Sequence, residues 1–327
     1  MSAITPERLV VTPREIFTKP RVSDRVFRGV LNVMSFSSLI ILTLIGSFLM
    51  LRGFQVFKGE GLSFITGFEW TSAVNDGVET STFGLGSMLI GTLLISATAL
   101  VVGVPLSVLT ALYLNFYAPL FIRKFLTTVL DLMAAFPSIL YGLWGYFILM
   151  PMAEYWAKLL NRYLGWIPIF SVPQPAFTRS PFVAGLVLAI MIIPIVTSVS
   201  REVFSQTPLD RIQAAYALGA TKWAMIKTVV LPFGSSGVVG GAMLGLGRAM
   251  GETVAVYMVL NIAFSANLKV LYGVGGNVAS MIVSRWGEST LLESKALLAA
   301  GFVLFVMTLA VNFLANFIVK RAVKSGK

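Results

Sequence analysis

Residues 80–122 contain no Asp, Glu, Lys or Arg. A hydrocarbon core about 30 Å thick needs about 20 apolar helical residues to cross it, so this one run already predicts a membrane-embedded chain. The composition agrees. Of 327 residues, 57% are apolar and 12% charged, with a mean hydropathy of +0.85, against about 25% charged in a soluble domain. Cysteine and histidine are absent, which argues against disulfides, thiol nucleophiles, thiolate or imidazole metal sites and histidine general bases.

The gaps between charges predict an all-α membrane protein with about six crossings, at residues 29–51, 84–117, 125–150, 182–200, 235–261 and 296–319. Residues 1–28 and 320–327 form tails, and 84–319 the transmembrane core. The first run is too long for a signal-peptide core and lacks a small-residue cleavage site after it. Pro105 and Pro194 fall inside predicted spans, and Pro137 interrupts Ala134-Ala-Phe-Pro-Ser-Ile-Leu-Tyr-Gly142. Such breaks persist where neighbouring helices or a wet cavity satisfy the freed backbone groups. They point either to a shaped pathway or to kinks that improve packing.

Charge gives orientation. Both tails, the turn at 123–124 and the loop 201–232 together hold sixteen Lys and Arg against five acids, while the opposite loops hold eight against seven. The net charge of +11 therefore sits on one side, which the positive-inside tendency assigns to the cytoplasm, with both termini. Nucleic acid is not needed to explain it. The opposite loops, residues 52–83, 151–181 and 262–295, carry Trp70, Trp156, Trp166 and Trp286, as an interfacial aromatic belt or a partner surface.

The loop 201–232 is longer than a turn requires. Thr207-Pro208-Leu209-Asp210 predicts a helix start, Ile212, Ala215, Tyr216 and Leu218 an apolar face, and Gly219 a stop. A second short helix is expected over 221–230, ending before Pro232. The pair reads as a membrane-surface element or as a docking handle for a cytoplasmic partner.

Three ionisable residues fall within spans: Asp131, Arg248 and Glu252. Asp131 is expected to cap local donors or to pair with a basic group. Arg248 and Glu252 stand four apart on one predicted helix, hence on one face. An unpaired charge there costs at least about 2.5 to 3.5 kcal/mol, so the pair should face protein or water. It is either a structural ion pair or an anion site, with the planar fork of Arg248 gripping a tetrahedral oxyanion and Glu252 holding the fork. The pairs Gly241/Gly245 and Gly247/Gly251 permit close approach of another helix or subunit. No Gly-x-x-x-x-Gly-Lys-Ser/Thr cradle appears, so ATP chemistry is expected in a partner and no cofactor in this chain. A secondary anion carrier or channel would also explain Arg248, but not the long loop.

Gln213-Ala214-Ala215-x-x-x-Gly219, nine residues, then Val229-x-Leu231-Pro232 resembles the Glu-Ala-Ala loop with which ABC importer permeases seat a coupling helix on their ATPase. Gln213 replaces the usual Glu, removing one charge from that contact, and Val229 the usual Ile. Leu244-Gly-Leu-Gly-Arg248-Ala-Met-Gly-Glu252-Thr-Val-Ala-Val256, the segment 134–142 and Ile190-Met-Ile-Ile-Pro194 resemble the phosphate ABC importer permeases. Gly67-Phe-Glu-Trp70 and Gly91-Thr-Leu-Leu-Ile-Ser96 are most similar to the PstC type of the PstC/PstA pair.

The resemblance covers about residues 25–320. It implies a type I permease fold in a bacterial inner membrane. It also implies a PstA-like second permease, two PstB-like ATP-binding subunits and a PstS-like periplasmic phosphate-binding protein. Arg248 and Glu252 would act in phosphate translocation, and sulfate or molybdate are the alternative oxyanions.

Overall fold

The computed structural model describes residues 22–75, 78–172, 176–265 and 267–325. Most of the N-terminal tail, residues 1–21, and the end of the C-terminal tail, residues 326 and 327, lie outside them. Contacts divide the chain into two units, 1–48 and 49–327. The first is, among its described residues, the start of helix α1 (Val22–Glu60), whose side chains are almost all exposed. The helix continues past the expected end at Leu51 and carries Arg52 and Lys58 in its last turns.

The second unit begins with the rest of α1, the short helix α2 (Ser63–Thr66) and a hairpin of β1 (Trp70–Asn75) and β2 (Val78–Phe83). The strands pair antiparallel with Trp70 opposite Phe83. This small sheet is an addition to the all-α expectation. Trp70 is only 4% exposed, packed among Phe64, Phe83 and Phe264, and its indole Nε1 donates to Glu293 Oε1 at 2.9 Å, so it belongs to a core. Trp156, Trp166 and Trp286 are exposed, as an aromatic belt requires.

Helix α3 (Gly86–Leu112), continued by a π turn over Tyr113–Tyr117, packs along α7 (Pro181–Ser205). Both contain a proline, Pro105 and Pro194, and each proline lacks the N–H of a helical bond. Side chains at their interface supply donors: Ser107 Oγ reaches Gly103 O at 2.6 Å and Ile193 O at 3.3 Å, and Thr197 Oγ1 reaches Ser107 O at 3.4 Å. These prolines therefore sit inside a packed helix pair.

The expected third crossing is broken. Helix α4 (Leu120–Ala135) stops at Phe136, which is extended as residues before proline tend to be. Helix α5 (Ser138–Trp144) leaves at 101° and continues through a π turn, Gly145–Leu149, into α6 (Met150–Leu164).

After α7 come α8 (Leu209–Ala217), closed by Gly219 at φ +80°, and α9 (Lys222–Met225), capped by Thr221 Oγ1 accepting from Ala224 N at 3.2 Å. Here the expectation fails at Pro232. The second helix does not end before it but runs through a π turn, Ile226–Val230, into α10 (Leu231–Met250) as one apolar stretch from Lys222 to Met250. A π turn places its hydrogen bonds one residue further on, so the missing proline N–H ends nothing.

Short helices α11 (Val254–Val259) and α12 (Val278–Trp286) precede α13 (Leu291–Ser325). Among the described residues, five helices have the length and apolarity to cross a membrane, or six if the bent pair is one span.

Candidate functional site

The expected fifth span also breaks, and the break removes the shared face of Arg248 and Glu252. Helix α10 ends at Met250; Gly251 and Glu252 make only weak closing bonds, to Gly247 O at 3.3 Å and Ala249 O at 3.4 Å, before α11 starts. Arg248 is thus in the last turn of α10, half-buried, where a cation opposes the negative end of the helix dipole. Glu252 lies past that end. Its Oε1 accepts from Ala255 N at 3.2 Å, so the carboxylate satisfies the start of α11 rather than the guanidinium. Ion pairs join Lys158 with Glu154 and Arg285 with Glu293, whereas Arg248 has no carboxylate at ion-pair distance among the described residues. Four residues of separation make a pair only on a continuous helix.

Asn277, which the sequence reading passed over, fixes the break. It is 1% exposed; its Nδ2 donates to Glu252 O at 2.7 Å and its Oδ1 accepts from Ser280 N at 2.9 Å, capping α12. The signal was present as Asn277 before an apolar run with Ser280 three residues on. The segment is seated on α3, where Val278 N donates to Thr92 Oγ1 at 3.2 Å. A Cβ on Gly91 would collide with Gly276 O, so that approach needs glycine.

The two broken helices meet. Tyr141 Oη donates to Met133 O at 2.6 Å, satisfying a carbonyl at the end of α4 across the Phe136–Pro137 bend. At the next residue, a Cβ on Gly142 would stand 3.0 Å from Ala255 Cα, and α5 packs along α11. Segments 134–142 and 244–256 are therefore neighbours, and the Arg248 charge is within electrostatic range of Tyr141. An apolar cavity of about 360 Å³ lined by Met133, Phe136, Leu140, Tyr141, Trp144 and Ile190 opens at the first break. Discontinuous helices at such depth are a usual way to line a substrate path.

The glycines divide by face. Gly241 and Gly245 turn toward Val199, Val196 and Ile192 of α7, whereas a Cβ on Gly247 meets nothing within 4 Å and one on Gly251 meets only Gly247 O. Among the described residues, only the first pair faces another helix.

At the end of α7, Gln213, Ala214, Gly219 and Pro232 are exposed, while Ala215 and Leu231 pack against the cluster of Leu112, Phe204, Met225 and Ile226. Leu218 is 89% exposed and Leu209 72%, so the loop presents apolar side chains beside its exposed Asp210, Arg211 and Gln213. Lys222 Nζ lies 4.7 Å over the Tyr117 ring, and Asn115 Nδ2 donates to Arg201 O at 2.7 Å, tying α9 and α7 to the last turn after α3. Asp131 is exposed on α4 and, among the described residues, has no ion-pair partner.

At the opposite end, a cavity of about 740 Å³ is lined by Arg179, Tyr257, Asn261, Arg285, Glu288 and Glu293, among others. Arg285 pairs with Glu293 at 3.3 Å and lies 5.1 Å over Phe264. Arg179, at φ +54°, bonds Asn261 Oδ1 and Tyr146 Oη.

With this geometry established, relatives can be compared. Residues 103–324 match the family described as binding-protein-dependent transport system inner membrane component. The phosphate transport system permease protein PstC 2 of Mycobacterium tuberculosis is 42% identical over 310 residues, covering 94% of this chain and 93% of the relative. PstC of Pasteurella multocida is 35% identical over 309 residues, with 93% of each covered. Among solved structures, a bacterial alginate ABC transporter in complex with an alginate-bound periplasmic protein aligns with TM-score 0.60 at 16% identity, over 93% of this chain and 99% of that one. That likeness gives the fold, the type I arrangement of ABC importer permeases. The chain belongs to the binding-protein-dependent transport system inner membrane components, and within them to the PstC permeases.

Proposed function

We propose that this chain is one of two permease subunits of an ATP-driven importer of inorganic phosphate. The observation that carries the reading is Arg248, a half-buried cation with no carboxylate at ion-pair distance among the described residues, set between two broken helices. Its planar donor fork suits the tetrahedral oxyanion named in the relatives. Because Glu252 Oε1 accepts from Ala255 N, the carboxylate does not occupy the Arg248 fork, which stays open to an anion. Selectivity for phosphate over sulfate or molybdate belongs to the same reading.

The excess of Lys and Arg orients both tails and the loop 201–232 toward the cytoplasm of a bacterial inner membrane. There, Gln213, Ala214, Ala215 and Gly219 seat on an ATP-binding subunit of the PstB kind. The chain itself hydrolyses nothing. A PstS-like binding protein delivers phosphate to the opposite face, and a PstA-like permease completes the path against Gly247 and Gly251. Nucleotide-driven movement of α8 and α9 reaches the core through Leu231 and Pro232, since Lys222–Met250 is one apolar stretch.

Co-expression with candidate ATP-binding, permease and binding-protein subunits, followed by reconstitution in vesicles, tests this. Phosphate uptake should require ATP and every partner. Uptake by the chain alone, without ATP, would instead establish a secondary carrier.

A further inference from the structure

A second group of cations, distant in sequence from Arg248, lines a cavity of about 560 Å³ formed by the first half of α4, the end of α7 and the π turn after α3. Asn115, Arg123, Lys124, Thr127, Arg201 and Glu202 form much of its wall. Three cations thus share it with one carboxylate. Among the described residues none of the three is ion-paired, and Glu202 Oε1 instead accepts from Gln206 Nε2 at 3.1 Å on its own helix.

Arg201 is half-buried and held from two sides. Its Nη1 donates to Thr127 Oγ1 at 2.7 Å, and its carbonyl accepts from Asn115 Nδ2 at 2.7 Å. The rest of its fork has no protein acceptor among the described residues. The first turn of α4 adds the positive end of a 16-residue helix.

Apolar surface adjoins this charge. Helix α4 buries none of its residues, and Leu120, Phe121 and Phe125 are 74%, 83% and 62% exposed. Phe121 and Phe125, four apart, form a stripe beside Lys124 and the cavity.

We propose that this cavity seats the phosphate of an anionic phospholipid headgroup, with an acyl chain along Phe121 and Phe125. Charge complementarity selects an anion, and the fork of Arg201 matches phosphate oxygens in pairs. The apolar stripe selects a lipid, because a hydrated free anion gains nothing from phenyl rings. The inference takes from the proposed function only the placement of this end at the cytoplasmic leaflet.

Native mass spectrometry of the purified full-length chain, without partners or ATP, in micelles doped with phosphatidylglycerol or phosphatidylcholine tests it. The chain should retain phosphatidylglycerol in preference, and Arg123→Gln and Lys124→Gln should each reduce retention about fivefold. Both side chains are exposed, so folding is unaffected, as unfolding temperature will verify. Arg201→Gln should cost more than Arg201→Lys. Arg162→Gln, an exposed charge outside the cavity, should change nothing.

Equal retention of the two lipids, or an equal loss in Arg162→Gln, overturns the proposal. Displacement of phosphatidylglycerol by excess sodium phosphate also overturns it, by assigning the cavity to a free anion. Failed phosphate uptake would discard the transport reading alone, since lipid retention needs neither transport nor ATP.

Discussion

Arg248 and Arg285 each have a glutamate close by in sequence, and only one of them uses it. Glu252 is four residues from Arg248, yet the helix ends between them and the carboxylate turns to Ala255 N. Glu293 is eight residues from Arg285 and across an interhelix turn, yet it pairs at 3.3 Å and also accepts from Trp70. The difference teaches that separation along a chain specifies a contact only where the backbone is continuous. At the paired arginine the charge is spent on holding α12 to α13. At the other, the proposed phosphate site, no carboxylate among the described residues stands at ion-pair distance.

The comparison breaks if Arg248 proves structural. Arg248→Gln should reduce ATP-dependent phosphate uptake by about 100-fold or more while the unfolding temperature stays close to wild type. Normal uptake, or a large loss of stability, would erase the contrast. Glu293→Ala should do the reverse. It leaves Arg285 and the Trp70 indole without their acceptor, costing about 2 to 3 kcal/mol in stability by denaturant or thermal unfolding. Asn277→Ala, which removes the cap of α12 and the donor to Glu252 O, should cost about 1 to 2 kcal/mol. Uptake should fall with it, because the break that carries Arg248 loses its anchor.

The smallest effect sharpens the comparison most. Glu252→Gln keeps an oxygen acceptor for Ala255 N and should change stability by less than about 0.5 kcal/mol. If Glu252 held the guanidinium by charge, this substitution would instead cost as much as Arg248→Gln in uptake. Measuring both variants in one vesicle preparation separates a capping carboxylate from a counter-ion.

The stop at Gly219 and the apolar character of each crossing were legible because they depend on local chemistry: a glycine free to take φ +80° and the hydrophobicity of neighbouring residues. Pro232 misled because a lost N–H removes one helical bond without having to end the helix, as Pro105 and Pro194 also show, and here a π turn leads the backbone into α10. The Phe136–Pro137 bend was marked in sequence as a breaker, but its 101° angle and the reach of Tyr141 back to Met133 O are seen only in three dimensions. Asn277 was hardest to see as part of the site, since its bond to Glu252 spans 25 residues and joins two short helices.

By itself the sequence determined that this chain lives in a membrane and which segments hold its excess of positive charge, since the cost of moving charge and peptide groups into hydrocarbon is set residue by residue. Only the tertiary structure decided which helices break and whom each buried charge meets. Those outcomes depend on whether another segment arrives to satisfy the freed backbone groups, and no local stretch of residues contains that information.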